Sequence, residues 1–285
     1  MVLVAAGIAA LGAPVAAWAY GWPIKPFDRQ HAIRGAFDDP RMGGTFHFGV
    51  DISARNRTPV YAVASGTAFL YSDAIAIRQP GGREFSYWHV EGTVPEHSYV
   101  HAGQRIGFVR PGFGHVHFAE FDGRTYVNPL RRGALTPFAD HTKPLVGPIV
   151  VWESANGKLD ATVQAYDPPP IAAPWPWNHA MWTPALIRWR LVQNGVPVVP
   201  WTVAKDSATY HPRRDYSSVY APGTLQNLPG RQGRFVFWLS HDKVELPDGA
   251  YAIEVRASDT RDNTGYAALA FDVDQSLKTR KVSSR

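Results

Sequence analysis

Through residues 21–140 the apolar residues come in runs of four to eight, each closed off by Gly, Pro or Asp, and none keeps a helical period. The runs are 59–64, 67–71, 74–78, 84–90, 105–109 and 115–121. Punctuation of this kind leaves room for short strands joined by tight turns and excludes helical bundles and doubly wound folds. The 25 Gly and 24 Pro work against helix, while 10 Trp and 12 Tyr favour strands. The chain reads as all-β.

With 285 residues the chain exceeds what one core usually holds, and a second region with a different rhythm follows. Ile187, Trp189 and Leu191 alternate with Arg188 and Arg190, and Phe235, Phe237 and Leu239 alternate again. Leu246-Pro-Asp-Gly leads into Tyr251, Ile253, Val255 and Ala257, then a polar turn at 259–265 and a last strand at 267–273. That pattern predicts the closing hairpin of an immunoglobulin-like or fibronectin-like β-sandwich. The expected division is 20–141, a linker at 142–148 marked by Pro144 and Pro148, and 149–275. Residues 1–19 form an uncharged apolar run ending in Ala17-Trp18-Ala19, expected to be a signal peptide or, failing cleavage, an N-terminal membrane anchor. The tail 276–285, with Lys278, Arg280, Lys281 and Arg285, is expected to be disordered.

Composition also narrows the chemistry. Zero cysteines exclude a disulfide framework, a thiol nucleophile and every thiolate metal site, so any metal must be held by His and carboxylates. The net charge of +5 comes from scattered bases with no aromatic-laced stripe, which argues against nucleic-acid binding.

Five residues stand in an order that suits metal chemistry: His47, Asp51, His89, His115 and His117. On a straight strand His47 and Asp51 would stand roughly 13 Å apart. To share one ion they need a bend between them, and Gly49 is placed to allow it. His115 and His117, two apart on a strand, point the same way at roughly 6.7 Å along the backbone, so one can hold a metal while the other stands beside it. The spacing does not say which. Each pair alone arises often enough by chance to mean little, and no metal-ligand cluster is visible in the second region.

The segments around these residues carry a resemblance. Residues 46–66, FHFGVDISARNRTPVYAVASG, look like the first zinc-ligand segment of lysostaphin-type (LytM-like) metallopeptidases. Tyr87-Trp88-His89 resembles that family's Tyr-x-His segment, 100–107 (VHAGQRIG) its Gly-Gln-x-Ile-Gly turn, and His115-Val116-His117-Phe118 its His-x-His-Phe signature. Asn128-Pro129 stands where the family closes its domain. The resemblance spans about 22–130 with all segments in order. It implies a compact antiparallel β-sheet metallopeptidase domain with one zinc ion per chain, held by His47, Asp51 and His117 with water in the fourth position. It further implies His115 as general base toward the zinc-activated water and His89 as a hydrogen-bond partner of the water or the developing oxyanion. The expected activity is an exported endopeptidase, periplasmic, wall-associated or secreted, cutting peptidoglycan stems or cross-bridges. For the second region the sequence names no partner.

Two features depart from the family pattern. The loop 109–114 is short where relatives carry a longer wall to the substrate groove, and Glu120 falls one place later than the usual acid. Glu120 is expected at the surface or backing the ligands, without a catalytic role. Two other functions are compatible with the fold. A non-catalytic wall-binding or regulatory protein would have no need of five intact site positions. A zinc D,D-carboxypeptidase needs an acidic base near the His-x-His pair, and 110–114 contain none.

Overall fold

A computed structural model describes residues 19–154, 157–212 and 215–274. The expected signal peptide or anchor (but for Ala19) and the expected disordered tail (276–285) lie outside the described residues. Almost all regular structure is antiparallel strand; among the described residues the only helix is the single turn Tyr216–Val219. No helix among them is long and apolar enough to cross a membrane. The fold is all-β, as the punctuated runs require.

The main sheet runs in the order Ile33–Gly35, Val50–Ser53, His115–Phe121, Glu84–Trp88, Ala74–Arg78, Gly66–Leu70 and Tyr99–Val100, with Tyr126–Val127 also paired to His115–Phe121. The central strand His115–Phe121 explains why the site lies where it does. Side chains alternate across it. Val116 and Phe118 enter the core opposite Ile52 and Val50, while His115 and His117 take the other face, with Asp51 directly across from His117. A smaller sheet of Pro59–Tyr61, Arg105–Val109 and Val90–Gly92 closes the same core with Val60, Ile106, Val109 and Val90.

A second core lies between two further sheets: Leu145–Glu153, Leu159–Tyr166 and Val236–Val244 in one, and Val196–Asp206, Leu186–Gln193, Gly249–Ser258 and Thr264–Val273 in the other. The alternation read from the sequence decides what is inside: Ile187, Trp189 and Leu191 meet Phe235, Phe237, Ile253 and Val255. The stretch expected to be a linker is mostly not one. Leu145 and Val146 already pair with Tyr166 and Ala165, so the strand Leu145–Glu153 begins inside 142–148.

The two units are locked together. Trp182 of the second buries its ring in the first core and donates from Nε1 to the Ile33 carbonyl at 3.2 Å. The Thr183 amide donates to Asp39 Oδ1 at 2.8 Å, Asn128 Nδ2 to the Ser207 carbonyl at 3.0 Å, and the Tyr220 hydroxyl to the Asp38 carbonyl at 2.7 Å.

Candidate metal centre

His47 leaves the short strand Thr45–Phe46 and is pinned by its backbone, whose N–H donates to the Asp39 carbonyl at 3.0 Å. Its Nδ1 lies 2.7 Å from the Ala36 carbonyl, an acceptor only, so Nδ1 carries the proton and Nε2 faces the site with its lone pair. Burial, and after it the Arg41 charge, lower the His47 pKa to about 3, which keeps the ring neutral and able to ligate. The chain then bends at Gly49 before Val50–Ser53 begins. The glycine is needed for closeness as well: a Cβ there would sit 2.4 Å from the Phe118 carbonyl and 2.9 Å from the His117 ring.

Asp51 Oδ1 lies 3.1 Å from both His47 Nε2 and His117 Nδ1, and those two nitrogens are 2.7 Å apart. Its other oxygen takes a hydrogen bond from Arg41 Nη2 at 2.6 Å, which fixes the plane of the carboxylate. Burial alone would raise the Asp51 pKa, but its coupling to His47, to the Arg41 guanidinium and to the adjacent His115 and His117 rings outweighs it, so the group stays well below the ordinary carboxylate range. The His117 pKa is lowered, chiefly by burial. His117 Nε2 is buried without a hydrogen-bond partner.

Three buried lone-pair atoms thus converge on one point with few protons between them, an arrangement that repels itself unless a cation sits among them. A tetrahedral zinc with bonds of about 2.0–2.2 Å holds its ligand atoms roughly 3.3 Å apart. Against that requirement the two Asp51 distances open by about 0.2 Å and the distance between the imidazole nitrogens by about 0.6 Å. Two imidazole nitrogens and one carboxylate oxygen also suit zinc chemically. The trio lies in a cavity of about 530 Å³ lined by Phe48, Trp88, His89 and His115, so one side stays open.

His115 and His89 stand beside the trio and contribute no atom to it. Arg34 Nη2 lies 2.7 Å from His115 Nδ1. The Phe113 carbonyl also lies 3.0 Å from Nδ1 and the same Arg34 nitrogen 3.3 Å from Nε2. Because a guanidinium can only donate, the shorter Arg34 contact makes Nδ1 the acceptor and puts the ring proton on Nε2, 3.5 Å from Asp51 Oδ1. His89 has the opposite tautomer: Nδ1 donates to Asp73 Oδ2 at 2.9 Å, leaving the Nε2 lone pair free. Its backbone is left-handed, with φ of 63°, held by its N–H on the Asp73 carbonyl and its own carbonyl on the Arg110 N–H. The ring stacks on Phe113 at 4.1 Å and lies 4.6 Å from the His115 ring. Burial, then the His115 charge, lower its pKa to about 4.

The five residues singled out in the sequence are therefore brought to one place, three as a trio and two as its flank. Arg34, Arg41 and Asp73 were not singled out, because nothing in their spacing marks them. Glu120 departs from expectation: it is 1% exposed, on the core face, accepting from Arg83 and Arg131 at 2.7–3.0 Å and from the Tyr20 hydroxyl at 2.7 Å. Next to the site a larger groove of about 900 Å³ runs between the units, lined by Arg34, Arg55, Asn56, Phe113, Trp175 and Trp177 among others. Trp177 stacks under the Arg34 guanidinium at 4.4 Å, and Trp175 is 81% exposed.

The sequence profile of Peptidase family M23 matches residues 45–129, a stretch that contains all five site residues. That match bears out the lysostaphin-type resemblance, and the segment is that of a peptidase family. No curated protein matches the chain. Similar solved structures include Helicobacter pylori Csd3, 22% identical over 40% of this chain and 34% of that one with a TM-score of 0.34. Lysostaphin from Staphylococcus simulans is 17% identical over 88% and 92% with a TM-score of 0.33, and the deep-sea M23 metalloprotease pseudoalterin 16% over 42% and 80%, also at 0.33. The chain spans about a third of the length of Csd3. TM-scores this low say nothing about function, and the family rests on residues 45–129.

Proposed function

We propose that the chain is an exported zinc endopeptidase that hydrolyses peptide bonds in peptidoglycan stems or cross-bridges. The observation that carries this reading is the trio of His47 Nε2, Asp51 Oδ1 and His117 Nδ1, mutually 2.7–3.1 Å apart and open on one side. Two His and one carboxylate with an open position are a catalytic rather than a structural zinc set. Zinc held there would polarise the scissile carbonyl and make water nucleophilic near neutral pH.

The chain's own residues divide the proton work. His89 Nε2, with Asp73 holding its tautomer, accepts the proton of the attacking water and passes it to the amine as the C–N bond breaks; His115 Nε2–H donates to the oxygen on which charge develops. This exchanges the two roles implied by the resemblance, and the reason is Arg34, which occupies the His115 nitrogen that would otherwise donate to the Phe113 carbonyl. The groove along Trp175 and Trp177 supplies from the second unit the wall that the short 109–114 loop lacks, and places the substrate beside Arg34. In this reading residues 1–19 direct export, 20–141 form the peptidase unit, and the second unit is an immunoglobulin-like sandwich whose two-sheet strand order suits that description.

The test is metal analysis of the purified chain beside mass spectrometry of fragments released from purified peptidoglycan. Stoichiometric zinc and new free amines are expected. A zinc-loaded chain that binds wall material and releases no amine would replace the enzyme with a wall-binding protein.

A further inference from the structure

Three more carboxylates meet where the two units join. Asp140 comes from the end of the first unit, Asp167 follows Leu159–Tyr166, and Asp259 opens the turn after Gly249–Ser258. They are 4%, 4% and 5% exposed, and one oxygen from each lies within 4.8 Å of those of the other two. That spacing has a chemical meaning. Two oxygens on one calcium ion, at about 2.4 Å each, stand at most about 4.8 Å apart.

Their hydrogen bonds do not account for them. Asp140 Oδ1 accepts from the Thr142 N–H and hydroxyl, and Asp259 accepts from the N–H groups of Arg261 and Asn263 and from Asn263 Nδ2. Asp167 Oδ1 is buried with no donor at all. The bases near them are engaged elsewhere: Arg261 donates to the carbonyls of Leu130, Phe138 and Thr260, and Lys205 to the Pro184 carbonyl and the Ser207 hydroxyl. Burial, with the charges of Asp140 and Asp259 behind it, pushes Asp167 well above the usual carboxylate range, and burial raises Asp140 as well. Beside Asp140 and Asp167 lies a cavity of about 20 Å³, further lined by Asn128, Thr183 and Thr260, room for one small occupant.

Like-charged carboxylates this close and this dry require either shared protons or a cation. An all-oxygen set without imidazole or thiolate selects a hard ion over zinc, and calcium completes its six to eight positions with waters as well as protein oxygens. We propose that Asp140, Asp167 and Asp259 form a calcium site that clamps the two units together. The site is separate from the His–Asp–His trio and does not depend on its loading.

The full-length chain, dialysed against a calcium-selective chelator and returned to buffer, is titrated with calcium and with magnesium while Tm is followed, and its calcium is counted by mass spectrometry. One calcium per chain is expected, with a rise in Tm of roughly 5 °C in millimolar calcium and much less in magnesium. Asp167→Asn should bind calcium at least tenfold more weakly and lose the thermal response. Should that variant fail to fold, the wild-type titration decides alone. A wild-type Tm indifferent to millimolar calcium overturns the proposal, and an Asp167→Asn chain as stable as wild type would then identify a shared-proton cluster.

Discussion

Replacing His89 and His115 by alanine, one at a time, separates the two proton roles. Neither ring contributes to the trio: the closest approach of His115 is Nε2 to Asp51 Oδ1 at 3.5 Å, and His89 bonds Asp73 on its far side. Both variants should therefore keep wild-type zinc, whereas His117→Ala, which removes one of three ligand atoms, should lose it. A proton-transfer group is worth 10² to 10⁴ in rate, so each variant should lose about 2.7–5.4 kcal/mol of transition-state stabilisation at 1.36 kcal/mol per tenfold. Alkali distinguishes them. A hundredfold more hydroxide at pH ~9 than at pH ~7 substitutes for a missing base but not for a missing donor. His89→Ala should recover up to about a hundredfold of its loss and His115→Ala almost none. Amine release from purified peptidoglycan, with zinc measured by atomic absorption on the same samples, gives both readouts. Recovery in His115→Ala instead would refute the reading of the Arg34 contact and restore the roles drawn from the family resemblance. Loss of zinc from either variant would refute the trio itself.

The pH profile offers a check without mutation. Burial and then the His115 charge lower His89 from 6.5 to about 4, and a base is lost as pH falls through its own pKa, so kcat/KM should hold from neutrality downward and decline only near that value. An acid limb at 6.5 would show that His89 is not the base. Glu120→Ala should destabilise the chain by about 3–5 kcal/mol, lowering Tm by roughly 10 °C, because it strands two arginines beside a buried void. Calorimetry showing less than about 1 kcal/mol would return Glu120 to the surface role read from its position. Trp175→Ala and Trp177→Ala should raise KM several-fold on polymeric wall with little change in kcat, and an unchanged KM in both would remove the groove from substrate binding.

Legibility followed the range of the interactions involved. Strands closed by glycine or proline were readable to the residue, as at Ala74–Arg78, Arg105–Val109 and His115–Phe121, because the stop signals sit in the local chain. The run 84–90 predicts one strand, and it is two: Glu84–Trp88 stays in the main sheet while Val90–Gly92 joins the smaller one. The break falls at His89, whose left-handed backbone follows from contacts to Asp73 and Arg110 that no local pattern announces. Glu120 carried a usable signal. Three places beyond His117 on one strand, it has the wrong parity for the site face and the right one for the core.

The same distinction explains why the trio could be anticipated and its surroundings could not. His47 and Asp51 share one bend and His115 and His117 one strand, so two local geometries and one strand pairing assemble the ligands. Arg34 reaches His115 across 81 residues, and Trp177 reaches Arg34 from the second unit. A groove wall needs only bulk and chemistry at the right place, and any segment that packs there can supply it. The short 109–114 loop is therefore no sign of a missing wall, since Pro174-Trp175-Pro176-Trp177 lines the same groove. If the groove binds substrate, selectivity in this chain is set jointly by two units whose interface is buried and hydrogen-bonded. A change at that interface, at Trp182 or Thr183, would then alter which substrates are cut without touching a ligand to the metal.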